Sequence, residues 1–91
     1  MKWELTERIR IRAPARMKFD KARQTDMLLL PERVVRLNPT AGAILWLCDG
    51  ERTVARMIED LETKYNQTNL QPDILAFLTE AIGRGWVEIC P

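Results

Sequence analysis

The sequence predicts an α+β fold, winged helix-turn-helix-like, with an N-terminal three-stranded antiparallel sheet followed by a three-helix bundle. Three observations carry this prediction. Short apolar clusters with strand character run up to Leu37, and a helical period takes over beyond it. The connections between the early clusters are tight and rich in turn residues. The chain has 91 residues, which fits one domain.

Residues 1–13 read as an arm, and residues 14–91 as the domain proper. Within the arm, Arg8-Ile9-Arg10-Ile11-Arg12 alternates charged and apolar side chains, a strand period that can pair with a sheet edge or stay mobile. Pro14 interrupts that strand. Arg16 to Asp20 is the first strand of the sheet. Thr25 to Leu30 is the second, and its run Met27-Leu28-Leu29-Leu30 is apolar on both faces, as suits a central strand. Pro31-Glu32 marks a turn, and Arg33 to Leu37 is a third strand rich in valine.

Asn38 and Pro39 then have the order of a helix cap and first helical residue. Ala41, Ile44, Leu45 and Cys48 form the inward stripe of this helix, which Asp49-Gly50 ends. Thr53 caps a second helix with the stripe Val54, Met57, Ile58, Leu61 and Tyr65. Pro72 and Asp73 open a third, which ends at Gly83-Arg84-Gly85. Trp86 to Ile89 is a short extended segment.

Composition narrows the function. There is no histidine, and Cys48 and Cys90 form no CxxC pair, so neither a metal nor another cofactor is expected. No glycine-rich phosphate loop occurs, and acidic residues such as Glu59, Asp60 and Glu62 suit a solvated helix face; an enzyme is not expected. The third helix carries Asp73 and Glu80 against Arg84, too little positive charge for a nucleic-acid partner. The longest apolar run, Ala43 to Cys48, is too short to cross a membrane, and the first residues lack the apolar core of a signal peptide; cytoplasmic residence is the default expectation. Charge is uneven: Met1 to Leu37 holds ten Lys/Arg and five Asp/Glu, and the remainder four and eight. A basic half suits an acidic or charge-steered partner.

Two features point to peptide binding. The third helix has two apolar rows, Ile74-Phe77-Ala81 and Leu75-Leu78-Ile82, wider than one core contact needs. The second feature is the strand Arg33 to Leu37, which can accept an added strand if it lies at the sheet edge. Trp46 falls opposite the inward stripe of its helix and is a candidate partner contact.

The stretch VVRLNPTAGAILWLCDG, from Val34 to Gly50, resembles the signature region of the PqqD family. The flanking MKFD…MLLLPER and ERTVARMIEDL are also similar to it, so the likeness runs from about Pro14 to Glu88. This resemblance implies a recognition element for ribosomally made peptides that are later modified (RiPPs). It implies a peptide chaperone of pyrroloquinoline quinone (PQQ) biosynthesis that binds the precursor peptide PqqA and presents it to PqqE. PqqE is the radical S-adenosylmethionine (SAM) enzyme that joins a glutamate and a tyrosine of the peptide. The peptide would add as a strand to Arg33, Val34, Val35, Arg36 and Leu37, facing Ile74, Phe77, Leu78, Ala81 and Arg84. A monomer or weak dimer is expected. The alternatives are a leader-peptide recognition element of another RiPP pathway and a DNA-binding winged helix. On the peptide reading, a proline at Val35 is expected to abolish affinity, since proline cannot donate to a ladder.

Overall fold

A computed structural model describes residues 2–91. The strand pattern before Leu37 forms a meander of β2 (Arg16–Asp20), β3 (Thr25–Leu29) and β4 (Val34–Arg36), in that spatial order and antiparallel throughout. The β2–β3 register runs from Arg16 opposite Leu29 to Asp20 opposite Thr25. The Asp20 carboxylate tightens the turn by accepting from the Ala22 amide at 3.0 Å. β3 is central as expected, and its Leu28 is fully buried.

Helix α1 (Pro39–Trp46) begins as the sequence indicates: the Asn38 side chain accepts from the Ala41 amide at 2.7 Å, with proline in the first turn. It stops earlier than expected. Asp49-Gly50 does not simply end a helix; it starts a strand, β5 (Asp49–Thr53). The Cys48 carbonyl already accepts from the Ile11 amide, and Gly50 takes a φ of 78°, which only glycine adopts at little cost. The Asp49 carboxylate accepts from the amides of Glu51 and Arg52 at 2.8 and 3.0 Å.

The partner of β5 is the segment read as an arm. β1 (Arg8–Ile11) is the middle strand of a second antiparallel sheet, between β5 and the C-terminal β6 (Val87–Ile89). Ile9 has no exposed surface and lies opposite Ile89, while Arg10 and Glu88 pair across the strands at 2.7 Å. Both partners lie about forty residues or more away in sequence, so local periodicity shows the strand but not its place.

Helix α2 (Val54–Tyr65) is capped by Thr53, whose hydroxyl accepts from the Arg56 amide. It buries Val54, Met57, Ile58 and Leu61 and ends on Asn66 in the left-handed conformation. Tyr65, read as the last residue of its inward stripe, is exposed. Helix α3 (Gln71–Gly83) buries Ile74, Leu78 and Ala81. α1 packs on α2 and β3, and α3 packs on β6. The architecture is therefore α+β with a three-stranded antiparallel sheet and three helices. β5 interrupts the expected run of three strands and then three helices, and a second sheet joins the chain's two ends.

No polar or charged side chain is buried among the described residues. Cys48 lies in the core, where burial, and then the neighbouring Asp49 charge, push its thiol up to about 12. Alkylation of the native protein at neutral pH is thus expected to modify the half-buried Cys90 well before Cys48; equal rates would show that this part of the core opens. Ile9→Ala is expected to cost about 2–5 kcal/mol in a denaturant melt. A loss well under about 1 kcal/mol would place β1 outside the cooperative core.

Candidate functional site

β4 is bonded to β3 on one side, and on the other it meets no strand of the described residues. The ladder shows which of its groups are free. The Arg33 carbonyl accepts from the Leu30 amide at 2.9 Å, and the Leu37 amide donates to the Asp26 carbonyl at 3.0 Å. Backbone direction alternates along a strand, so Arg33, Val35 and Leu37 face β3, while Val34 and Arg36 turn their amides and carbonyls outward. Val34 is also the most exposed large apolar residue, at 55 %. Leu37, by contrast, is buried in the core.

This parity corrects the expectation for Val35. Its backbone is spent within the monomer's own sheet, opposite Leu28. A proline there breaks the β3–β4 ladder, and the residue whose amide points to the open side is Arg36.

On α3, burial redraws the two apolar rows. The core-facing line is Ile74, Leu78 and Ala81, drawn from both. Leu78 has no exposed surface and Ala81 almost none, so these two form a floor and do not line an open groove. Leu75 and Ile82 flank the core line on one side, where Trp3 also reaches the helix, its indole N–H donating to the Thr79 hydroxyl at 2.9 Å. Phe77, half-buried, flanks it on the other side, in line with Arg84 two turns on.

Phe77 and Arg84 look onto two clefts at opposite ends of β4. Beyond its C-terminal end, a cleft of about 430 Å³ is lined by Asn38, Ala41, Ile44, Leu70, Ile74 and Phe77, with Asp73 and Tyr65 at its edge. Beyond its N-terminal end, a cleft of about 300 Å³ brings together Arg12, Arg33 and Arg84 with Glu32 and Trp86. Arg84 is held by Glu80 at 2.8 Å and stacks over the Trp86 ring at 5.3 Å. None of Arg12, Arg33 and Arg36 joins an ion pair among the described residues. Arg12 is a residue that sequence reasoning missed here, because it belongs to the segment set aside as an arm.

Trp46 lies elsewhere. It is 48 % exposed, as its helical position indicates, but its indole N–H is engaged, donating to the Asp26 carboxylate at 2.8 Å. Gly42, one turn earlier, sits against that carboxylate so closely that a methyl group there would overlap it. Trp46 shares a wide cleft of about 1010 Å³ with exposed Phe19 and Tyr65, rimmed by Arg52, Arg56 and Lys64. Tyr65 was not legible as a surface residue, since it continues the spacing of the inward stripe of α2. Val34, Val35 and Arg36 do not line this cleft.

Among the described residues no group of three His, Cys, Asp or Glu side chains is placed to hold a metal ion. No helix of the described residues is long and apolar enough to cross a membrane. What the arrangement offers chemically is an open strand margin, a helix flank and two end clefts of opposite character.

Comparison with known proteins places this architecture. The family described as Coenzyme PQQ synthesis protein D (PqqD) matches residues 27–87. A protein of Methylococcus capsulatus named "PqqA binding protein" is 39 % identical over 73 residues, covering 80 % of this chain and 78 % of that one. One of the same name from Stutzerimonas stutzeri is 37 % identical over 87 residues, covering 94 % and 95 %. The solution NMR structure of the PqqD truncation of Methylobacterium extorquens PqqCD, described as a functional and stand-alone RiPP recognition element, superposes with a TM-score of 0.77 at 29 % identity. That match covers 96 % of this chain and 95 % of the other. A match across two thirds of the residues, joined to whole-length similarity in sequence and fold, means that this chain belongs to the PqqD family.

Proposed function

We propose that this chain binds the precursor peptide PqqA as an added strand on β4 and presents it to the radical SAM enzyme PqqE in PQQ biosynthesis. The observation that carries this reading is the outward backbone of Val34 and Arg36, between end clefts that Phe77 and Arg84 line. Main-chain bonds to an open strand supply hold, and side chains that alternate along the added strand supply choice. The names of the relatives, "PqqA binding protein", supply the peptide. In this reading the protein does no chemistry of its own, and works in the cytoplasm beside the enzyme that does. The winged helix-turn-helix-like order then serves a peptide and not DNA, in keeping with the two acids of α3 against the single Arg84 that caps it.

The residues assigned to the peptide are Val34 and Arg36 through backbone, Arg33 and Arg84 through charge, and Phe77 through apolar contact. Ile74, Leu78 and Ala81 support them from beneath, and Val35 and Leu37 hold the strand in place. The cleft of Phe19, Trp46 and Tyr65 is left open when β4 is occupied, and we assign it to the partner enzyme. The free protein is a monomer, or a weak dimer through β4 that the peptide dissociates.

An NMR titration of labelled protein with PqqA is expected to move the amides of Arg33–Leu37 and of the Phe77–Arg84 stretch. Perturbation confined to other elements would place the peptide elsewhere, and tighter binding of another pathway's leader peptide would reassign the pathway. Arg36→Pro is expected to lower affinity at least tenfold, about 1.4 kcal/mol, with the fold intact. Arg36→Ala serves as control for the lost charge and is expected to lose less. A folded Arg36→Pro variant with undiminished affinity would rule out strand addition at β4.

A further inference from the structure

The two ends of the proposed groove differ in chemistry, and the fold gives that difference a direction. β4 runs from the basic cleft at Arg33 toward the apolar cleft past Leu37. α3 runs the opposite way, with Asp73 and Phe77 at the apolar cleft and Arg84 at the basic one. Every pairing in this sheet is antiparallel. An added strand that continues the pattern enters at the Phe77 end and leaves at the arginine end.

We infer that the groove reads peptide polarity, taking an apolar side chain first and an acidic side chain about four residues later. This rests on strand addition at β4. The spacing comes from two lengths. From Arg33 to Leu37 is about 14 Å of strand, and from Phe77 to Arg84 about 10 Å of helix. Each corresponds to about three or four residues of an extended peptide, and side chains facing the same way must be an even number apart.

The apolar end cannot welcome a carboxylate, because its only charged lining residue is Asp73. The other end sets Arg12, Arg33 and Arg84 against Glu32 alone. Glu80 occupies part of Arg84 but leaves Arg12 and Arg33 without an ion pair among the described residues. A carboxylate meeting these guanidinium groups gains charge-assisted bonds at a half-open site. In the reverse orientation it would face Asp73, while an apolar side chain would lie among the arginines. Both mismatches act in the same direction, which makes the groove selective for order as well as composition.

The test uses the full chain and two synthetic peptides of about ten residues, long enough to overhang β4 at both ends. They share composition and central sequence; one places leucine four positions before glutamate, the other four positions after. The first is expected to bind at least about tenfold more tightly, with the difference shrinking as salt is raised. Arg33→Glu is expected to erase that preference, and Arg33→Lys to retain most of it. Equal affinities with perturbed β4 amides, or preference for the second peptide, would overturn the polarity rule and leave strand addition standing. If neither peptide perturbs β4 amides while PqqA does, the rule also falls. If PqqA fails there too, strand addition itself is withdrawn.

Discussion

Backbone amides and carbonyls need partners, and β4 satisfies only every second residue from within its own chain. The bonds of Arg33 and Leu37 to β3 set the phase, and the phase leaves Val34 and Arg36 facing outward. At a sheet edge these groups are solvated and cost little, yet they form a template for another strand. The edge is three residues long, preceded by Arg33 and ended by Arg36, features that discourage pairing with unselected chains. Past one end of this edge lies the cleft that Phe77 lines, and past the other the cleft that holds Arg33 and Arg84. On the proposed function, peptide recognition depends less on a pre-formed cavity than on an incomplete sheet.

That incomplete sheet is held by a second, smaller one. β1 is clasped between β5 and β6, so the two ends of the chain and the α1–α2 connection meet on Ile9. α3 packs on β6, and its position relative to β4 therefore descends from the clasp. On the other side, α1 is fixed to β3 by the Trp46–Asp26 hydrogen bond and by Gly42, whose missing side chain admits the Asp26 carboxylate. Between them these contacts fix β3 and α3 within the fold, and with them the two end clefts.

Charge is arranged by the same topology. The basic excess of the first 37 residues does not spread evenly. β1 ends beside the β3–β4 turn and the end of α3, which gathers Arg12, Arg33 and Arg84 from three separate stretches of sequence. The aromatic cleft of Phe19, Trp46 and Tyr65 is assembled likewise from β2, α1 and α2. None of Arg12, Arg33 and Arg84 lines the aromatic cleft, so the basic and the aromatic surfaces are separate.

The sequence by itself determined what local chemistry can determine. The Asn38-Pro39 start of α1, the Thr53 cap, the stripe from Val54 to Leu61 and the Leu28 run of β3 are all legible, because caps and periodicity act over a few residues. The valine-rich strand β4 and the apolar helix α3 were legible for the same reason. Tertiary structure alone decided the rest. It turned an apparent arm into a central strand, converted a helix-ending Asp49-Gly50 into the start of β5, and buried Leu78 while leaving Phe77 in reach. It also chose Arg36 over Val35 as the outward amide. Each of these depends on partners distant along the chain or on the phase of a ladder, and neither is written in the spacing of residues on a single segment.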